Sequence, residues 1–142
     1  MGWRPRASAV RPSSSPPQTS SAPVAASPEG PALPSNLVEA FANQGLTLET
    51  IYDYGADFKV CRCIGETGRK EIRPLCRREG VWKFGVPEGP RPLFNLSAVQ
   101  EADPSEPVLV VEGEKCALAA SSLGFLATTS SGGAGAAKVT DW

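Results

Sequence analysis

The stretch Pro107-Val108-Leu109-Val110-Val111-Glu112-Gly113 constrains this chain more than any other. Four consecutive apolar residues, three of them β-branched valines, run between a proline and an acid–glycine pair. Such a run suits a short strand buried on both faces, as in a parallel sheet. A carboxylate leaving the C-terminal end of such a strand stands where open α/β sheets place their ligands. Gly113 is expected to let the chain turn tightly there and to admit another group against the backbone. An acid–glycine pair after a strand is often only a turn, so the weight of Glu112 depends on the residues downstream of it.

Those residues show a helical pattern. Positions 114 to 123 place Cys116, Ala117, Ala119, Ala120 and Leu123 on one broad face, and Gly124 supplies a C-terminal stop. Residues 125 to 129 then read as a second strand, running into Ser130-Ser131-Gly132-Gly133-Ala134-Gly135. Strand, helix and strand with little connecting chain make a βαβ unit, which implies a right-handed parallel crossover.

Upstream, Pro34-Ser35-Asn36 opens a short helix through Leu37, Val38 and Phe41, with Ser35 or Asn36 as its cap and Gly45 at its end. From Ile51 the pattern turns to short β-like runs at 58–64, 71–77 and 81–84. Gly65-Glu66-Thr67-Gly68 and Glu79-Gly80 serve as turns, so a small antiparallel meander is expected. Residues 85 to 92 read as a linker and 98 to 106 as a polar, acidic connector. No internal repeat is present.

The first 34 residues hold eight of the fourteen prolines and seven serines, with almost no large apolar side chain. A segment of that composition is expected to be a disordered tail. Three parts result: a Pro/Ser-rich tail at 1–34, a helix plus β meander at 35–97, and an α/β segment at 98–142. No stretch approaches the roughly 20 apolar residues of a membrane span, and no secretory signal is visible, so a cytoplasmic protein with no membrane partner is expected.

Four cysteines raise a zinc reading at Cys61, Cys63 and Cys76. The chain has no histidine, and a lone Cys-x-Cys is poor zinc spacing, so small buried hydrophobes fit better. Charge is more informative. The net charge of −1 hides a basic segment: residues 62 to 91 carry eight Lys or Arg against four Glu. Arg69, Lys70, Arg73, Arg77, Arg78 and Lys83 are interleaved there with Trp82 and Phe84. Basic and aromatic residues on a small sheet suit single-strand contact, with phosphates paired and bases stacked. Solvated strand faces around a structural tryptophan remain the other reading. The Gly-rich loop is not a Walker loop, because Ala137 precedes Lys138 and Val139 follows it. Its glycines can still direct N–H groups at an anion, with Lys138 adding positive charge, or form only a turn.

The ordered series Val110-Val111-Glu112-Gly113-Glu114-Lys115-Cys116-Ala117, Leu123-Gly124, Ala127-Thr128-Thr129-Ser130-Ser131-Gly132-Gly133-Ala134 and Thr140-Asp141-Trp142 resembles the first half of a Toprim domain. The variant is that of primase-like proteins from phages, plasmids and other mobile elements. Tyr52-Asp53-Tyr54, Gly68 to Pro74, Gly80-Val81-Trp82 and Arg91-Pro92-Leu93-Phe94-Asn95-Leu96 resemble the region preceding Toprim in those proteins. The resemblance covers about residues 50 to 142. It implies an α/β fold: a partial Toprim-type parallel βαβ unit behind a small antiparallel meander.

It also implies an activity: nucleotidyl transfer on nucleic acid, with Glu112 as general acid or base and Gly113, Gly132, Gly133 and Lys138 in support. Single-stranded DNA or a primer-template is the implied partner, and a replicative helicase is implied by the resemblance alone. Mg²⁺ is the family's cofactor, held by an Asp-x-Asp pair after a later strand, because phosphoryl transfer needs a hard cation on carboxylate oxygens. No Asp-x-Asp occurs in this sequence, and Asp141 belongs to the Thr-Asp-Trp element rather than to a metal site. The expectation is therefore a C-terminally truncated Toprim chain, inactive by itself, or a noncatalytic nucleic-acid binder that keeps the basic region.

Overall fold

A computed structural model describes residues 33 to 142. The tail expected at 1–34 thus lies outside the described residues, save its last two.

Helix α1 spans Ser35–Ala42. Its N-cap is Pro34, whose carbonyl accepts the Leu37 N–H at 2.9 Å, and no side chain caps it. The expected cap by Ser35 or Asn36 is therefore corrected. The proline fixes the entry dihedral, and both polar residues fall inside the first turn. Leu37 and Phe41, four apart, form the buried stripe of this helix. Gly45, at φ +68°, redirects the chain into β1.

Four strands follow as one antiparallel meander in sequence order: β1 Leu46–Asp53, β2 Phe58–Gly65, β3 Lys70–Arg78 and β4 Val81–Phe84. The last three lie where the β-like runs predict them, and Glu79-Gly80 is the tight hairpin between β3 and β4, with φ of +53° and +78°. β1 is not expected from the sequence. Its register shifts between Leu48 and Thr50. The bulge places one extra residue in the strand and breaks the two-residue alternation by which a strand is recognised.

Each face of the sheet is covered by a different element. Cys61, Cys63, Leu75 and Leu46 point to one side and pack with Leu37 and Phe41 of α1. Cys61 and Cys63 are fully buried there. Phe41 meets Phe84 edge to face at 5.2 Å between ring centroids. Tyr52, Phe58 and Val60 point to the other side and form the second cluster with Tyr54, Phe94, Ala117 and Ala127. Cys76 pairs in register with Phe58, and so stands on the opposite face from Cys61 and Cys63. The three cysteines do not converge. Among the described residues no group of three or more His, Cys, Asp or Glu side chains is placed to hold a metal ion.

The second unit is the expected βαβ. β5 Leu109–Val110 and β6 Ala127–Thr128 pair in parallel, joined by α3 Glu114–Ser122. The Leu109 N–H donates to the Leu126 carbonyl at 2.8 Å, and the Val111 N–H to the Thr128 carbonyl at 3.0 Å. α3 ends as the sequence predicts. Gly124 sits at φ +87°, its N–H donates to Ser121, and the Phe125 N–H donates to Ala120. That pair of bonds is the Schellman arrangement, which needs a left-handed residue at the position of Gly124. The 98–106 connector departs from expectation, because α2 occupies Leu96–Glu101. This helix buries no residue, so no apolar stripe marks it in the sequence.

One expectation about β5 is overturned. Its run does not lie between two covered faces. Val108, Leu109 and Val110 remain 37%, 41% and 60% exposed. The two-stranded sheet pairs β5 on one edge only, and the core contact of this unit runs instead through Ala117 and Ala127. On the far side of β6, Leu93 bridges Ser130 and the Phe94 N–H donates to Thr129 at 3.0 Å. The segment after the meander thus completes the βαβ unit rather than linking freely to it. No helix among the described residues is long and apolar enough to cross a membrane.

Candidate active site

Glu112 follows β5 directly, and the backbone before it is clamped. The Val111 N–H and carbonyl are both engaged, the first by Thr128 and the second by the Thr129 hydroxyl, which donates at 2.7 Å. Glu112 itself is exposed, and among the described residues no Lys or Arg pairs with it. A carboxylate held by its backbone and free at its head can exchange a proton with a ligand.

The glycine that matters here is not the expected one. Gly113 caps α3 in an extended conformation, φ −170°, that any residue adopts, and a Cβ on it would meet nothing within 4 Å. Its expected role in a tight turn and a close approach is corrected. Gly133 carries that role. Its φ of +70° with ψ −162° is open to glycine almost alone, and a Cβ there would stand 2.9 Å from the Glu112 carbonyl oxygen. Gly132, at φ +97°, precedes it. The double-glycine turn therefore lies against the backbone of Glu112. Beyond it the expected loop is a 3₁₀ turn, Ala134–Val139, with Lys138 exposed near its end and not paired with Glu112.

Tyr54 and Glu114 fasten the two units beside this point. The Tyr54 hydroxyl, itself buried, donates to Glu114 Oε1 at 2.7 Å. Burial, then the bond to Glu114, holds the Tyr54 hydroxyl far above the ordinary tyrosine range, so it stays protonated as a donor. Glu114 is in the first turn of α3, where a carboxylate also suits the helix dipole. Their pairing is not legible in the sequence, because they meet across 60 positions.

The acid faces the sheet across a shallow cavity of about 230 Å³, lined by Tyr52, Arg62, Lys70, Ile72 and residues 112 to 116. Lys70 and Lys115 are exposed at its wall, whereas Arg62 is tied to Glu49. The structure brings only part of the predicted basic set here. Arg73, paired with Glu71, belongs to the other face of the sheet, because it stands in register with Cys61. Trp82 and Arg77 also lie on that face, where Trp82 is half-buried against the α1 cluster and receives the Lys59 ammonium at 5.4 Å. Lys83 and Arg78 line a wider groove of about 680 Å³ with Asp57, Glu79 and Glu88. Arg69 sits in the hairpin between β2 and β3 and is exposed. The basic segment is thus divided by strand alternation between two faces, and its tryptophan is not a free stacking platform.

The chain matches no family profile, no curated protein and no solved structure.

Mg²⁺ takes oxygen ligands in near-octahedral geometry. Glu112 offers one free carboxylate, and the adjacent Glu114 is taken by Tyr54. These residues do not by themselves fit a Mg²⁺ site.

Proposed function

We propose that this chain carries the acid half of a Toprim-type, primase-like nucleotidyl-transfer centre, with Glu112 as the general acid or base. One observation supports the reading above the others. Glu112 leaves a parallel strand, free at its head, against a Gly132-Gly133 turn that leaves no space for a side chain. In the forward reaction its carboxylate takes the proton of a sugar hydroxyl as that oxygen bonds to the α-phosphorus of a nucleotide and pyrophosphate leaves. Gly133 keeps the turn close, and Tyr54 with Glu114 fixes the start of α3. The metal-binding carboxylates of such a centre come from outside these residues, so the chain alone is expected to be inactive.

The test uses the full chain joined to a segment bearing Asp-x-Asp from a related Toprim protein. The joined protein should bind Mg²⁺ and extend primers on single-stranded DNA, and the chain alone should not. Glu112→Gln should abolish extension and leave metal affinity largely intact. Full activity in that variant would remove Glu112 from the chemistry.

A second reading is a noncatalytic nucleic-acid binder. It is favoured by Lys70, which the meander presents to the same cavity as Glu112. Oligonucleotide binding by the unjoined chain, with no turnover in the joined one, would select it. A helicase partner, an origin in a mobile element and a cytoplasmic location belong to the same proposal and rest on the resemblance alone.

A further inference from the structure

Two carbonyls bracket the Cα of Glu112, and the fold holds each of them. The first belongs to Val111. Main-chain pairing of β5 with β6 ends with the Val111 N–H on the Thr128 carbonyl at 3.0 Å. One step further the hold passes to a side chain: the Thr129 hydroxyl donates to the Val111 carbonyl at 2.7 Å. The Ser130 carbonyl, at 3.5 Å, is a poorer acceptor for it, and Thr129 is fully buried. The second carbonyl is that of Glu112. Gly133 lies against it, since a Cβ on Gly133 would stand 2.9 Å away. Ser130, also buried, fixes Gly133 twice. Its hydroxyl donates to the Gly133 carbonyl at 2.6 Å, and its own carbonyl accepts the Gly133 N–H at 3.0 Å.

Planar peptides leave φ and ψ as the soft backbone torsions of Glu112. With the peptide on each side held, the direction in which its side chain leaves the backbone is set before any ligand arrives. A general acid or base needs this, because its oxygen must come within hydrogen-bond reach of the proton it moves. The two holds differ in kind. Gly133 is a steric stop, whereas the Thr129 bond is one polar contact that can be deleted with little change of side-chain shape. Thr128 supplies a comparison. It is likewise buried, and its hydroxyl donates to the Phe94 carbonyl, away from Glu112.

We infer that Thr129 is a positioning residue for Glu112, acting through the peptide that joins Val111 to Glu112. Its consequence for catalysis rests on the nucleotidyl-transfer reading, and the positioning itself rests on the geometry alone.

Amide relaxation on the ¹⁵N-labelled full chain reads that peptide directly, because the Glu112 N–H lies in it. Its order parameter should be about 0.85 in the parent chain, the value of rigid backbone. Thr129→Val should lower it to about 0.6, and Thr129→Ser, which returns the hydroxyl, should restore it. Thr128→Val should leave it unchanged, although it too removes a buried hydroxyl. Thr129→Ala replaces the valine variant if that does not fold. An unchanged Glu112 amide in the variant that folds would overturn the inference. So would an equal fall in Thr128→Val, or no recovery with Thr129→Ser. The same substitutions in the chain joined to an Asp-x-Asp segment test the catalytic consequence. There Thr129→Val should lower kcat for primer extension about tenfold at unchanged KM, and Thr129→Ser should restore it. Unchanged kcat would overturn the role in catalysis. A joined protein with no turnover before any substitution would remove the nucleotidyl-transfer reading, and the relaxation result would still decide the positioning.

Discussion

The Tyr54 hydroxyl donates to Glu114 Oε1 at 2.7 Å, and this bond ties the connection between β1 and β2 to the first turn of the helix that comes after Glu112. Tyr54 is buried, and its ring packs on Phe58 and Phe94 at 5.2 and 5.4 Å between centroids. Tyr54→Phe keeps those packing contacts and deletes the donor. Glu114 is only partly buried and can turn to water, so the cost should be about 1 kcal/mol. Urea unfolding of the two proteins checks it. No change in midpoint would show that the bond contributes nothing net.

Alkaline pH should unfold the chain in a defined window. Burial pushes the Cys61 thiol up to about 12, and the Tyr54 hydroxyl is raised further from its ordinary value. Tyr52 is raised as well, chiefly by burial. In each case the folded chain holds its proton more tightly than the unfolded chain does. Their contribution to stability is therefore fully present below the unfolded values of about 8.5 for Cys and 10 for Tyr, and is lost as pH rises beyond them. Urea midpoints should fall steadily above about pH 9, cysteine first. Tyrosinate absorbance should rise only with unfolding. Tyrosinate forming while the fold persists would contradict the burial of these two residues.

Gly133→Ala should be costly and Gly135→Ala should not. The first puts a Cβ against the Glu112 carbonyl at a backbone conformation nearly reserved for glycine, and the second meets nothing within 4 Å. The expected loss is about 2 kcal/mol for Gly133→Ala and within about 0.5 kcal/mol for Gly135→Ala. Thermal unfolding measures both. Equal midpoints for the two variants would show that the turn does not need to approach Glu112 closely.

Thiol labelling should divide the cysteines. Cys116 is exposed, while Cys61, Cys63 and Cys76 are buried. In native buffer a colorimetric thiol reagent should titrate one group quickly, and in denaturant all four. Fast native labelling of two or more would show that the sheet core opens readily.

Lys70 and Arg73 should differ as nucleic-acid contacts. Lys70 is exposed on the face that looks toward Glu112, and Arg73 is paired with Glu71 on the other. Under the proposed function, Lys70→Gln should lower single-strand affinity and reduce its salt slope by about 1, with Arg73→Gln changing neither. Fluorescence anisotropy at several salt concentrations provides the measurement. The reverse ranking would place the strand on the α1 side of the sheet.

Local sequence determined the elements whose cause is local. A run of branched residues before an acid–glycine pair dictates a strand, because β-branched side chains fit the pleat. Gly124 dictates a helix end, since the left-handed position penalises other residues. Glu79-Gly80 dictates a hairpin for the same reason. β1 escaped because a bulge shifts its alternation at Glu49, and α2 escaped because a helix that buries nothing leaves no stripe. Tertiary structure alone decided the rest. Which basic residues share a face depends on strand register, and a two-residue alternation sends Lys70 and Arg73 apart although only two residues lie between them. The need for glycine at 133 rather than 113 depends on what the fold brings against each backbone. The partners of Arg91 and Glu114 carry no local mark, because they come from chain that lies 40 and 60 positions away.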